Sequence, residues 1–165
     1  MAKTAKRKPV NEAFLDAARL GDFDGVKFYL EEGANIETRD NRGRTAMHIA
    51  AEKGMTMTLE VLIEEGGQLN TVDHAKETPL MLAAKLQGGY DAVAMLIGNG
   101  ADITLRNLRG QTAFTMVDEK SPVKKMLRGA WLDALDKNPP DLSVTTSQDL
   151  HIRKPLVLKP AAPPQ

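Results

Sequence analysis

The sequence contains no cysteine, and only 4% of its 165 residues are aromatic. Without cysteine the chain can form no disulfide, zinc–thiolate site, iron–sulfur cluster or thiol nucleophile. The scarcity of aromatics argues against an aromatic-rich sandwich or barrel. It favours a core built from Ala, Leu, Val, Ile and the 8 methionines. Because such side chains suit close helix packing, we expect an all-α or repeat architecture.

Long apolar runs are also absent. No stretch approaches about 18 consecutive apolar residues, and no apolar segment follows the basic first ten residues. We therefore expect neither a membrane span nor a signal peptide, and we interpret the chain as a soluble, cytoplasmic protein.

Positive charge is concentrated at the amino terminus. Residues 1–10 carry four basic residues and no acidic one, although the formal net charge of the whole chain is zero. This arm is similar to a monopartite nuclear-import signal, and it equally fits a solubilising tail or a bacterial N-terminus. The nucleus is therefore the alternative location.

The chain repeats with a period of 33 or 34 residues. Thr45, Thr78 and Thr112 occupy the same place in "GRTAMHIAAEKG", "KETPLMLAAKLQGG" and "GQTAFTMVDEK". Two further anchors keep this register, namely the alanine pairs at 17–18, 50–51 and 83–84 and the glycines Gly33, Gly66 and Gly100. This spacing predicts stacked units, none of which can bury its apolar surface alone.

Each unit is predicted to form two short helices. The threonine is an N-cap for the first helix, and Pro79 suits a first-turn position. Gly21, Gly54 and Gly88 are placed to end that helix. A second helix follows, with apolar residues such as Leu59 and Leu62 at helical spacing.

The last unit departs from this pattern. Residues 117–118 replace the alanine pair with Val and Asp, and a shortened second helix is expected to start near Ser121. We expect "KKMLRGAWLDALDK" to form a closing helix, with Trp131 and Leu135 folded onto the last unit.

These motifs resemble the ankyrin repeat family. "TPLMLAA" and "TAMHIAA" are similar to its Thr-Pro-Leu-His-x-Ala-Ala signature, and "GNGADITLRN" to its Gly-Ala-Asp-Val-Asn lead-in. The third unit departs from the signature, with Met81 in place of His and Lys76 in place of the turn glycine. The resemblance implies an all-α ankyrin-repeat solenoid with degenerate capping units at both ends. The expected divisions are a basic arm at 1–10, units at about 11–40, 41–73, 74–107 and 108–135, and a Pro-rich, disordered tail at 136–165.

His48 is the residue most suggestive of chemistry. The resemblance implies that its ring instead bonds the backbone and the Thr between adjacent units. His74 falls at a turn tip and His151 in the tail, so no histidine pair has metal-binding helical spacing. No nucleophile elbow or phosphate-binding loop is present either. We expect no catalysis, no metal and no cofactor.

The resemblance implies that another protein is bound through a concave side made of turn tips and the outward faces of the first helices. The predicted partner-binding residues are Arg19, Arg39, Arg42, Arg44, Glu52, Lys53, His74, Glu77, Lys85, Arg106, Arg109 and Gln111. Most are basic, so we expect a partner with an acidic surface. The predicted role is a monomeric adaptor, or an inhibitor or immunity-type protein that covers an enzyme.

Two other classes remain as alternatives. A structural or assembly subunit would self-associate and need no foreign partner. A nucleic-acid-associated regulator is less well supported, because aromatics for base stacking are sparse and the chain is neutral overall.

Overall fold

The computed structural model describes residues 9–137, with side chains to residue 133. Within this part the chain forms α-helices and no strand, which confirms the all-α prediction. The helices are α1 (Val10–Leu20), α2 (Phe23–Glu31), α3 (Ala46–Lys53), α4 (Thr56–Glu64), α5 (Pro79–Lys85), α6 (Tyr90–Gly98) and α7 (Pro122–Lys137).

The helices pack as pairs that stack in chain order. α1 contacts α2, α3 contacts α4, and α5 contacts α6. The first helices of successive pairs contact one another, α1 with α3 and α3 with α5. The second helices do the same, α2 with α4 and α4 with α6, and α7 extends that row. Contacts between neighbouring units of this kind define a solenoid.

Local signals set the ends of the first helices. The Thr78 hydroxyl oxygen accepts the N–H of Met81 at 3.3 Å, and Pro79 is the first residue of α5. Gly21 and Gly54 follow the last residues of α1 and α3 in the left-handed conformation. The threonine start is therefore confirmed for α3 and α5, and the glycine end for α1 and α3. The prediction for Gly88 is wrong, because α5 ends at Lys85 and its C-cap is the extended Leu86, whose N–H bonds the Ala83 carbonyl oxygen before the chain reaches the glycine.

The core runs between the two rows of helices. All three alanine pairs are buried, so the first helices can approach closely. Leu59 and Leu62 of α4 are fully buried, as their spacing predicts. Thr58, beside them, has a buried hydroxyl oxygen with no hydrogen-bond partner.

The fourth unit differs from its predicted form. No α-helix starts at Thr112, and residues 113–116 form turns instead. The predicted short second helix and the predicted closing helix are one continuous helix of 16 residues, α7. The buried Lys124 explains how the turns are stabilised. Its ammonium donates to the carbonyl oxygens of Phe114 at 2.8 Å and Val117 at 3.2 Å. It also pairs with Glu119 at 3.1 Å. The lysine thereby supplies hydrogen bonds to carbonyl oxygens that, in a helix, would accept from backbone N–H groups.

Trp131 packs partly buried against the core, as expected. The side chain of Leu135, the basic arm before residue 9 and the tail after residue 137 lie outside the described residues. The division into arm, units and tail stays a prediction. No helix in residues 9–137 is long and apolar enough to cross a bilayer.

Candidate functional site

Three tight turns project between the helix pairs, and we call residues 40–44, 73–77 and 107–111 the tips. Each tip begins with a short polar side chain, Asp40, Asp73 or Asn107. Its Oδ1 accepts the backbone N–H groups two and four residues further on, at 2.8 to 3.0 Å. These side chains fix the turns, as Asp and Asn commonly do.

Adjacent tips are bonded directly to each other. The backbone N–H of His74 donates to the Arg42 carbonyl oxygen at 3.0 Å, and that of Leu108 donates to the Ala75 carbonyl oxygen at 3.0 Å. The three tips therefore form one continuous structure along the stack, which we call the tip ridge. It carries six of the twelve predicted partner-binding residues, namely Arg42, Arg44, His74, Glu77, Arg109 and Gln111.

An internal ion network joins the first tip to α1 and α3. Arg44 pairs with Asp40 through Nε at 3.0 Å and Nη2 at 2.9 Å, and its Nη1 pairs with Glu52. Arg19 reaches Asp40 from α1 at 3.6 Å. Only 2% of the Asp40 side chain and 14% of the Arg44 side chain are exposed. Three of the predicted binding residues, Arg19, Arg44 and Glu52, thus hold the chain's own elements together.

The environment of Asp40 keeps its carboxylate ionised. Burial raises the pKa of Asp40, but the hydrogen bonds from the Arg44 backbone, the Arg44 guanidinium and the Arg42 backbone outweigh burial and lower the pKa below its usual value. The carboxylate therefore remains charged at neutral pH and can pair with Arg44 and Arg19.

Two further predicted residues form a separate internal pair. Lys85 at the end of α5 contacts both carboxylate oxygens of Glu77, at 2.6 and 2.7 Å. Lys53, in the corresponding part of α3, donates instead to the backbone carbonyl oxygen of Arg19 at 2.6 Å. The Lys53 contact joins α3 to α1 of the preceding unit, and the Lys85 contact ties the end of α5 to the second tip.

Arg39 and Arg106 brace the tips that follow them. Arg39 Nη1 donates to the carbonyl oxygens of Gly43 at 2.9 Å and Val72 at 2.7 Å. Arg106 Nη1 donates to the Gly110 carbonyl oxygen at 3.0 Å. Both guanidinium groups therefore bond backbone oxygens of the tip ridge while the residues remain exposed.

Several exposed predicted residues lie at the tips. Arg42, His74 and Arg109 are exposed, and Gln111 is half-buried and accepts from Asn107 Nδ2 at 3.3 Å. In the described part of the chain, the side chains of Arg42 and Arg109 have no hydrogen-bond or ion-pair partner. The twelve predicted residues therefore divide into those whose side chains bond within the described chain and a few whose side chains do not, and as partner contacts they remain predictions.

Sequence reasoning overlooked the residues that shape this surface. Asp40, Asp73 and Asn107 were not identified as a set, although they are spaced by 33 and 34 residues and so keep the repeat period. Each also lies five residues before the repeated threonine. That pattern of short polar residues would have identified them as turn-forming positions.

His48 is committed to structure through both ring nitrogens. Its Nδ1 accepts the Thr45 N–H at 3.2 Å and lies 2.9 Å from the Thr45 hydroxyl oxygen. Its Nε2 lies 3.1 Å from the Glu77 carbonyl oxygen. Because a carbonyl can only accept, Nε2 carries the proton. Burial lowers the pKa of His48, so the neutral ring is favoured at physiological pH.

A groove of about 460 Å³ lies between α1 and the first tip. Leu15, Arg19, Arg39 and Asp40 are among its lining residues, so charges of both signs border it. Among the described residues, no group of three or more His, Asp or Glu side chains is placed to hold a metal ion.

The comparison with protein families identifies the repeats. A family model for ankyrin repeats, three copies, matches residues 14–107, which is more than half of the chain. The chain belongs to the ankyrin repeat family. Its resemblance to that family in the threonine and alanine motifs is thereby confirmed, and ankyrin repeats are protein-interaction modules.

Several relatives share this region. The chain is 32% identical over 102 residues to an ankyrin repeat-containing protein of Schizosaccharomyces pombe, covering 62% of this chain and 48% of that protein. It is 35% identical over 111 residues to human BCL-6 corepressor-like protein 1, covering 66% and 6%. It is 43% identical over 92 residues to mouse protein phosphatase 1 regulatory subunit 12A, covering 55% and 9%.

The chain thus spans less than half the length of these curated relatives. The similarity concerns only a part of each of them. Two of the three are named as a corepressor-like protein and a phosphatase regulatory subunit, so regulatory proteins are among the relatives of this ankyrin protein.

Proposed function

We propose that this ankyrin protein binds an acidic surface of another protein through the tip ridge and the adjoining ends of its first helices, and that it catalyses no reaction. The observation that carries the proposal is the accessibility of Arg42 and Arg109. Both project from backbone-bonded turns, and neither is neutralised by an acid of the described chain. Because the backbone of each turn is already ordered, less backbone entropy is lost on binding.

The internal ion pairs refine the predicted basic face. Arg44 already pairs with Asp40 and Glu52, and Lys85 pairs with Glu77. A partner carboxylate would have to displace one of these acids to bind either cation. Contacts at Arg42 and Arg109 require no such exchange. We therefore assign Arg42 and Arg109 to partner recognition and the arginines that bond within the chain to stability.

The proposed action is regulatory, as an adaptor or as an inhibitor that covers an enzyme. The names of two relatives support a regulatory role. An inhibitor would reduce the activity of its purified target at equimolar concentration. An adaptor would leave that activity unchanged and bring the target to a second protein.

Charge reversal at both accessible arginines tests the proposal. The variant Arg42→Glu/Arg109→Glu should lose capture of partner proteins from native lysate at low salt, while its circular dichroism spectrum and Tm stay near wild type. The matched control is Lys27→Glu/Lys125→Glu, which makes the same change in net charge at exposed positions of α2 and α7. Equal capture by wild type and the arginine variant would overturn the proposal.

Self-association is the alternative role. Leu20 and Leu108 favour it, because 81% and 65% of these large apolar residues are exposed. Multi-angle light scattering of the purified chain decides between the two. A concentration-dependent dimer that is dispersed by Leu20→Ser/Leu108→Ser would support assembly, whereas a monomer supports partner binding.

A further inference from the structure

Lys76 adopts a backbone conformation that lysine rarely takes. Its φ is 56°, and among the described residues it is the one non-glycine residue with positive φ. The equivalent positions of the neighbouring tips are Gly43 and Gly110, with φ of 76° and 71°. A residue with a Cβ atom is disfavoured in this region, so a glycine would fit the second tip with less strain.

The charge of the second tip is displaced by one residue relative to its neighbours. The first and third tips contain an arginine followed by a glycine, Arg42 before Gly43 and Arg109 before Gly110. The second contains Ala75 followed by Lys76. Each tip therefore carries one exposed cation at its apex, and in the second tip that cation is kept at a strained position.

Strain at an exposed position indicates a role outside the fold. The Lys76 backbone N–H bonds the Asp73 carbonyl oxygen at 3.0 Å, a turn bond that glycine would make equally well. The Lys76 ammonium has no partner within the described residues. Its side chain thus contributes nothing to the turn, and strained residues concentrate where they serve binding.

We propose that Lys76 is a specificity-determining contact of the tip ridge for an extended acidic segment of the partner, which lies across Arg42, Lys76 and Arg109 in turn. This assignment rests on the function proposed above. Three single cations along a backbone-bonded ridge match a row of carboxylates. Charge complementarity of this kind sets partner choice and association rate.

An acidic peptide suits this row better than a nucleic acid does. Single-stranded nucleic acids are bound by cationic grooves that also offer aromatic side chains for base stacking. The tips contain no Phe, Tyr or Trp, and the exposed Phe28 and Tyr90 lie on α2 and α6 instead. Carboxylates need only the cations.

The stacking distance suggests a probe. Packed helices lie roughly 8–10 Å apart, so equivalent tips should follow at about that spacing. A polyproline II chain has three residues per turn and rises about 3.1 Å per residue, so carboxylates at every third residue lie on one face about 9 Å apart and match that spacing. The probe is a fluorescein-labelled twelve-residue peptide with Glu at every third position and Ser or Ala between. The same peptide with Gln replacing Glu is its control.

Lys76→Gly is the decisive variant, because binding and stability should move in opposite directions. Its Kd for the Glu peptide, measured by fluorescence anisotropy at low salt, should rise about 3-fold to 5-fold, the upper part of the range for one exposed charge pair. Its Tm should increase by roughly 2–4 °C as the strain is relieved. Unchanged peptide affinity in Lys76→Gly overturns the assignment.

A charge-shifted variant provides the matched control. Ala75→Arg/Lys76→Gly gives the second tip the Arg-Gly arrangement of its neighbours, and it should recover wild-type affinity while keeping the higher Tm. Failure to recover affinity would contradict a role for the Lys76 charge. Tighter binding of an oligo(dT) of equal charge than of the Glu peptide would overturn the assignment to an acidic protein segment.

The two proposals fail separately. If Arg42→Ala and Arg109→Ala weaken peptide binding but Lys76→Gly does not, the tip ridge binds acids and only the role of Lys76 is wrong. If none of the three variants changes the affinity, the tip ridge is not the acid-binding surface and the proposed function fails as well.

Discussion

The imidazole of His48 in α3 donates from Nε2 to the backbone carbonyl oxygen of Glu77, 29 residues further along the chain and 3.1 Å away. The other nitrogen accepts the Thr45 N–H. One buried ring therefore joins the start of its own helix to the following tip. Contacts that cross between units supply the stability that no unit has alone.

Replacing His48 by Ala should lower the free energy of unfolding by roughly 1–3 kcal/mol, because buried backbone groups of Thr45 and Glu77 lose their partners. Urea unfolding followed by circular dichroism measures the loss. A His48→Ala chain of unchanged stability would show that water or a relaxed backbone replaces the ring without cost.

Stability should fall on acidification in the range where His48 titrates. The unfolded chain binds a proton at His48 near pH 6.5, whereas the folded chain, with its lowered pKa, resists protonation. The unfolded state then binds more protons, so the His48 contribution is complete above about pH 6.5 and is lost as pH falls toward the folded pKa. Unfolding free energies at pH 8, 7, 6 and 5 should decline more steeply for wild type than for His48→Ala. Parallel profiles would contradict this.

Removal of the unsatisfied hydroxyl of Thr58 should stabilise the protein. Thr58→Val keeps the shape and the helix propensity but deletes a buried oxygen that has no partner, so the free energy of unfolding should rise by about 1 kcal/mol. Thr78→Val is the matched control, since that hydroxyl caps α5 and its loss should cost about 1 kcal/mol. Thermal unfolding of both variants should shift Tm in opposite directions.

Two substitutions at Asp40 separate its turn-forming role from its charge. Asp40→Asn keeps an oxygen for the two tip N–H groups, as Asn107 does in the third tip, but removes the carboxylate that Arg44 Nε and Nη2 bond, so that Glu52 is left as the acidic partner of Arg44. It should cost roughly 1–2 kcal/mol. Asp40→Ala loses both functions and should cost about 3 kcal/mol. Equal losses of unfolding free energy in urea would mean that the turn-forming oxygen of Asp40 contributes nothing to stability.

Much of the fold could be predicted from the sequence because its signals are local and repeated. Thr78, Pro79 and the alanine pairs each specify a helix start or a close packing position regardless of the rest of the chain. The failure at Thr112 has the same origin. A threonine cap was present there, but the turns after it depend on the buried ammonium of Lys124, which arrives from α7 and follows no repeat pattern.

The sequence by itself determined the period of this protein and the helix pairs of its first three units, because these follow from residue types at fixed spacing. The resemblance to ankyrin repeats added the family and the structural role of His48. Only the tertiary structure decided which charges are accessible. Arg42 and Arg44 are two residues apart and look alike in the sequence, yet stacking of α1 and α3 around the first tip buries one against Asp40 and leaves the other exposed. Charge is a property of a residue, whereas its neutralisation depends on neighbours that only packing brings together.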